Sequence, residues 1–288
     1  MIFLKIYMKG FDIMNRLIPP CSYQGGKQRL SKQIVDIIFE QNKIDENTQF
    51  YDLCCGSGAI GLELVNRGIN PKNIIMVDNG VYGGFWTSIS NNSFDLNIFK
   101  EEIDKLPSIE DIQKYLKDLS NQEVNKDRYI YHYLLLQSGS FGSKQIWIED
   151  NKWKNNSFRS YWLPTETSSR KSPVNPMMPM PETLYTRVKD IVEILGGNIK
   201  AYNEDINDIK FNFSSNSIIY IDPPYKNTTG YGQDFDYMNF INNTNNKVYL
   251  SEGFKISDNA ILLSKGRSKG NISGNSKKKP VEEWLNIF

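Results

Sequence analysis

Gln49-Phe-Tyr-Asp-Leu-Cys-Cys-Gly-Ser-Gly58 decides the fold. Its first seven residues read as a buried strand, which stops at Gly56-Ser-Gly58. Ala59 to Arg67 then reads as a helix ended by Gly68. Asn73-Ile-Ile-Met-Val77 is a second short apolar strand, closed by Asp78. Strand, glycine turn, helix and strand within about thirty residues form a βαβ unit. Such a unit implies a parallel sheet covered by helices. The expectation is an α/β chain with a Rossmann-like sheet and helices on both faces.

Outward from that unit, Gln28 to Glu40 carries Leu30, Ile34, Ile37 and Ile38 on one helical face. Ile103 to Leu119 is polar and reads as a helix. Residues 125 to 181 change character: Trp147, Trp153, Phe158, Tyr161 and Trp162 interleave with Lys144, Lys152, Lys154, Arg159, Arg170 and Lys171. This stretch reads as an inserted module. Glu182 to Leu195 resumes a helical period and is closed by Gly196-Gly197. Ile199 to Tyr202 is a short strand, and Ser217-Ile-Ile-Tyr-Ile221 a buried one. The tail reads as a basic loop, Lys265 to Lys279, and a helical turn, Glu282-Glu-Trp-Leu285. The expected organisation is one catalytic domain, 15–110 and 182–288, interrupted by a recognition region at 111–181.

Hydrophobic residues at 39% and charged residues at 23% mark a folding chain rather than a disordered one. A formal net charge of +1 gives no global pull toward nucleic acid, so such a partner needs a local basic patch. Cys21, Cys54 and Cys55 have no zinc-ligand spacing, and no metal is expected. The single histidine, His132, sits in the aromatic run Tyr129-Ile-Tyr-His-Tyr133 with no Gly-x-Ser-x-Gly elbow. That favours a packed helical histidine over a catalytic triad. Met1 to Lys9 is apolar but too short to span a bilayer, and it lacks a small-residue cleavage site. A cytoplasmic chain with reduced thiols and no membrane partner is expected.

Three sites carry chemistry. In Asp52-Leu-Cys-Cys-Gly-Ser-Gly58, glycines after a first strand let backbone approach a ligand, and Gly56, Gly58 and Gly61 match G-x-G-x-x-G. A ligand-free βα turn is the alternative. Asp78 follows the next strand, where a carboxylate takes both hydroxyls of a ribose. Together the two favour a cofactor that contains adenosine. Asp222-Pro-Pro-Tyr225 follows four apolar strand residues, and two prolines in series force the chain to turn. The turn offers a carboxylate, a proline carbonyl and an aromatic ring. Two acceptors and a stacking ring suit a flat heterocycle that bears an amino group. The alternative is a rigid turn with a packed tyrosine. Ser22-Tyr-Gln-Gly-Gly-Lys27 lacks the spacing of a P-loop, which argues against an NTPase.

In this order the motifs resemble the Dam-like family of DNA adenine methyltransferases, in the alpha-type arrangement. The resemblance runs from Pro19 to about Leu285 and rests on aromatic-x-Gly-Gly-Lys, the glycine motif and Asp-Pro-Pro-Tyr. It implies S-adenosylmethionine as cofactor and methyl transfer to the 6-amino group of adenine in DNA. Cofactor contacts would fall on Tyr23, Lys27, Asp52, Cys54, Gly56 and Gly58, with Asp78 on the ribose. Asp205 and Ile206 would lie near the cofactor adenine. Asp222, Pro223, Pro224 and Tyr225 would hold the target base. The family usually has phenylalanine where Cys54 stands and often tryptophan where Tyr23 stands; both changes keep an apolar or aromatic wall. Thr228-Thr-Gly-Tyr-Gly232 also resembles the family's loop past the catalytic motif.

The stretch from Gln137-Ser-Gly-Ser-Phe-Gly142 to Lys171 sits where the family keeps its DNA-reading segment. This implies DNA contacts at Phe141, Lys144, Lys152, Lys154, Arg159, Arg170 and Lys171, by stacking and phosphate neutralisation. A tryptophan-rich minor core with solvated lysines is the alternative. Lys265, Arg267, Lys269 and Lys277 to Lys279 are further phosphate candidates, or a solvated loop. Two other functions stay open: an RNA amino-group methyltransferase, and a catalytically silent DNA-binding protein. The Gly-Gly-Lys element and the long insert favour DNA, while intact Asp78, Asp222 and Tyr225 speak against silence. Oligomeric state is not legible, and restriction-modification, mobile-element defence and regulation fit equally.

Overall fold

The computed structural model describes residues 16–224, 236–267 and 280–288. Helix α1 (Ser31–Gln41) leads into β1 (Gln49–Leu53), and α2 (Ala59–Asn66) returns the chain to β2 (Ile74–Val77). Then follow α3 (Val81–Ser90), α4 (Leu96–Asp104), α5 (Ile112–Ser120) and α6 (Tyr129–Gly139). A hairpin of β3 (Trp147–Glu149) and β4 (Lys152–Lys154) precedes α7 (Pro181–Leu195). The rest is β5 (Lys200–Tyr202), β6 (Ser217–Ile221), α8 (Tyr237–Asn242), β7 (Lys247–Glu252), β8 (Ile261–Arg267) and β9 (Pro280–Ile287).

The seven-stranded sheet has the order β5-β2-β1-β6-β7-β9-β8. Its first five strands are parallel, and β9 runs antiparallel to both neighbours. From β1 the chain steps outward through β2 to β5, then returns to β6 beside β1 and continues to β7. The order therefore reverses between β1 and β6. In open α/β sheets ligands bind beyond the carboxyl ends of the strands at such a point. The arrangement is a mixed α/β fold with a mostly parallel sheet flanked by helices, compatible with a Rossmann-like architecture.

Alternate strand residues take opposite faces. Phe50, Ile74, Met76, Ile218, Tyr220 and Tyr249 join one apolar cluster with residues of α1, α2 and α3. Tyr51, Leu53, Ile75, Val77, Ile219, Ile221, Val248 and Leu250 belong to the other. There α8 supplies Tyr237 and Ile241, and Phe213 packs edge-on to Tyr51 at 4.7 Å. Both faces are covered, which is why these strands read as continuous apolar runs.

Residues 111–181 share the first cluster with α4 and α7: Leu116, Leu134, Trp153, Phe158, Tyr161 and Met178 are buried alongside Phe99 and Leu184. Trp162, by contrast, is 44% exposed. His132 sits in α6, with Nε2 3.4 Å from the buried carboxylate of Glu102.

Four local expectations are corrected. Ile103 to Leu119 is not one helix; α4 stops at Asp104 and α5 starts at Ile112. Pro107 lies in the gap, and a proline breaks the helical ladder. Glu282 to Leu285 is strand, not a helical turn, because β9 pairs with β7 and β8 along its length. Lys265 belongs to β8 rather than to a loop, and its ammonium lies 2.9 Å from Glu282 Oε1. The helix expected from Gln28 begins with a tight turn, Lys27–Arg29, before α1. Among the described residues no helix is long and apolar enough to cross a membrane. Met1 to Lys9 and Lys269 to Lys279 lie outside the described residues.

Candidate functional site

Backbone hydrogen bonds carry the ladder one step past the strands and align their exits. Cys55 N–H donates to Val77 O (2.9 Å), Asp222 N–H to Leu53 O (3.2 Å) and Asp78 N–H to Tyr202 O (3.2 Å). The loops that follow line one cleft of about 630 Å³. Of the residues expected from the sequence, Tyr23, Lys27, Asp52, Cys54, Gly56, Asp78, Asp205, Ile206, Asp222, Pro223 and Pro224 all line it.

The glycine turn is left-handed at Cys54 (φ 59°), Gly56 (φ 48°) and Gly58 (φ 76°). A Cβ on Gly56 would stand 3.1 Å from Tyr23 Cε1, so the bare backbone lies against that ring. Gly56 N–H donates to Asp78 Oδ2 (2.9 Å), and Gly80 N–H donates to Asp78 Oδ1 (2.8 Å). Each carboxylate oxygen has two lone pairs, so Asp78 keeps acceptor capacity for hydroxyls. Burial raises its carboxyl above the ordinary value, and these N–H donors pull it back. Gly58 is not among the residues that line the cleft; its open side faces Trp86 and Met76. Asp52 is buried at the root of the turn, where Oδ2 accepts from Gly61 N–H (2.9 Å) in the first turn of α2. Burial pushes its carboxyl up to about 7, with Asp222 and Asp78 adding to the rise. Across the cleft, Asp205 accepts from Asn207 N–H (2.8 Å), which orders the turn holding Ile206.

The exit of β6 meets the N-terminal loop. Lys27 is only 5% exposed, and its ammonium lies 2.5 Å from Asp222 Oδ1, 2.8 Å from Gly25 O and 3.5 Å from Glu283 Oε1. Burial raises the Asp222 carboxyl to about 6; Lys27 opposes that rise, and Glu283 and Glu252 reinforce it. The Gly-Gly-Lys element, expected at the cofactor, thus also touches the Asp-Pro-Pro corner. Tyr225 and Thr228 to Gly232 lie outside the described residues.

The seven residues expected at DNA lie elsewhere: among the described residues, none of Phe141, Lys144, Lys152, Lys154, Arg159, Arg170 and Lys171 lines the cleft. All are exposed or half-buried. Lys154 pairs with Glu149 (3.2 Å), and Lys171 donates to Glu166 O (2.9 Å). The β3–β4 hairpin instead brings Gln145, Trp147, Ile148 and Glu149 to the cleft wall. Gln24 N–H donates to Ser143 O (2.7 Å), which ties this region to the Gly-Gly-Lys loop. Sequence reading missed Gln145, Ile148, Glu149, Glu204 and Glu283 as cleft or site neighbours. A signal for the hairpin existed, since Asp150-Asn151 sits between two Trp-centred runs and both residues have positive φ.

No family model matches this chain, and no curated protein matches it.

Proposed function

We propose that this chain is a methyltransferase that uses S-adenosylmethionine to methylate the 6-amino group of adenine in DNA. One observation carries the reading: the Gly56 turn with Asp78 and the Asp222–Pro224 corner open into the same cleft, on either side of the point where strand order reverses. A volume of about 630 Å³ is in the range of cofactor sites.

The donor set fits an adenosine-bearing sulfonium. Asp78 has spare lone pairs at the second strand's exit, where ribose hydroxyls are held in dinucleotide folds. Gly56 lets backbone come close, Tyr23 supplies a flat wall, and Asp205 with Ile206 offers an acceptor beside an apolar side chain. These residues would hold the cofactor. When bound, S-adenosylmethionine would supply an electrophilic methyl group and leave as the neutral thioether, while the amine nitrogen would give up one proton to water.

The protein's part is positioning and charge. Lys27 fixes the Asp222 carboxylate through Oδ1, and the remaining lone pairs of that carboxylate accept an N–H of the target amine. The Pro223 carbonyl is the second acceptor, held by a turn that two prolines stiffen. Tyr225 is the expected stacking ring. A duplex adenine must leave its stack to reach this corner, and the cations of residues 141–171 would neutralise phosphates around it.

A transfer assay with methyl-labelled cofactor, on DNA and on RNA, tests the reading. Label in the 6-amino group of DNA adenine is expected, lost in Asp222→Ala while cofactor binding persists. Label only in RNA would assign the other substrate, and no label in either would make the chain a silent binder.

A further inference from the structure

We infer that Glu283, on the C-terminal strand β9, is a positioning residue that acts on the target amine through Lys27 and Asp222. The inference rests on the functional reading above and goes beyond it. Trp284 of β9 pairs with Glu252, the last residue of β7, so Glu283 projects past the carboxyl edge of the parallel strands. There its carboxylate meets the ammonium that holds Asp222.

The charges explain why a second acid belongs there. Methylation moves positive charge onto the amine nitrogen, so a negative field at the corner favours the transition state. Lys27 and Asp222 alone cancel each other. Glu283 adds a negative charge beside the ammonium, which both it and Asp222 approach, and Lys27, only 5% exposed, has little water to solvate it. Among the described residues, other groups that face Asp222 include Asp52 from β1, Glu252 from β7, Tyr220 on its own strand and Cys54 in the glycine turn. Asp52 and Glu252 add to the negative field rather than offset it when ionised. Removing the charge of Glu283 therefore leaves Asp222 easier to ionise yet the corner less able to stabilise a cation. Simple structural damage does not produce that pair of effects.

The test compares Glu283→Gln and Glu283→Asp with the wild-type protein. Carbon-13 NMR of the aspartate carboxyls, with Asp222→Asn for assignment, follows the Asp222 titration; steady-state kinetics gives kcat and KM. In Glu283→Gln, Asp222 is expected to titrate at lower pH, with the acidic limb of kcat moving the same way. Plateau kcat should fall about tenfold with KM for DNA unchanged, and Glu283→Asp should recover most of it. If the wild-type protein transfers no methyl group, the reading of the whole site fails. If it transfers normally but Glu283→Gln matches it in both titration and kcat, only the role of Glu283 is overturned.

Discussion

Gly58 and Trp86 are packed so closely that a Cβ on the glycine would stand 2.2 Å from Trp86 Cζ2. The same indole donates from Nε1 to Gly56 O (2.8 Å), so one tryptophan of α3 props the glycine turn from behind. Gly58→Ala meets both an unfavourable φ of 76° and a clash with a fully buried ring. A loss of about 2–3 kcal/mol is expected from strain and overpacking together. Gly142 is the control, because its φ is 71° but nothing lies within 4 Å of its added Cβ. Gly142→Ala should cost only about 1 kcal/mol. Thermal melts of the two variants check the order; equal losses would refute the packing argument.

Lys27→Met removes the counter-charge of Asp222 and leaves a poorly solvated carboxylate behind. The Asp222 carboxyl should then rise above its present value of about 6. Its folded-state value lies above the ordinary 3.8, so the destabilisation is fully present above the raised value and absent below the ordinary one. A loss of about 3 kcal/mol at pH 8, shrinking toward pH 4, is expected from denaturant melts. The acidic limb of turnover should move up in pH, opposite to the shift expected for Glu283→Gln. A pH-independent loss would show that Lys27 acts by packing alone.

Much of this was legible in the sequence because the decisive elements are local. The apolar run to Leu53, its glycine turn and the second run to Val77 need no distant partner to be recognised, and Pro223-Pro224 marks the exit of β6 by itself. The parts that escaped depend on tertiary pairing or on very short segments. Nothing within Pro280–Ile287 announces a strand, since its state comes from the ladders to β7 and β8. β3 and β4 have three residues each, too few for a period of two to be seen. Lys27 and Asp222 meet across 195 positions, a distance no motif spacing spans. Composition likewise does not separate Trp153, Phe158 and Tyr161, which are buried, from Trp162, which is exposed. Pro107, in contrast, was a readable break that the polar pattern around it masked.

Asp52→Asn should change how stability depends on pH. Burial pushes the Asp52 carboxyl from an ordinary 3.8 up to about 7, so the folded chain holds that proton more tightly than the unfolded one. Stability from this group is therefore greatest at about pH 4 and declines as pH rises to about 7. Asparagine keeps an oxygen for Gly61 N–H and carries no charge. The ligand-free variant should match the wild type near pH 4 and exceed it at pH 8, by on the order of 2–4 kcal/mol. Melting temperatures across that range measure the difference, and parallel curves would show that Asp52 does not titrate there.

The basic face of the insert makes its own prediction about DNA. Lys144, Arg159, Arg170 and Lys171 are exposed, whereas Glu149 stands at the cleft wall and pairs with Lys154. If DNA lies across this face, each cation changed to alanine should weaken binding evenly across sequences and reduce the salt dependence by about one counterion. Glu149→Ala should act the other way, because it removes a negative charge beside the path of phosphates and releases Lys154. Fluorescence anisotropy with a labelled duplex at several salt concentrations reads both effects. Unchanged salt slopes in all four cation variants, with no gain in Glu149→Ala, would move the DNA-binding surface away from residues 141–171.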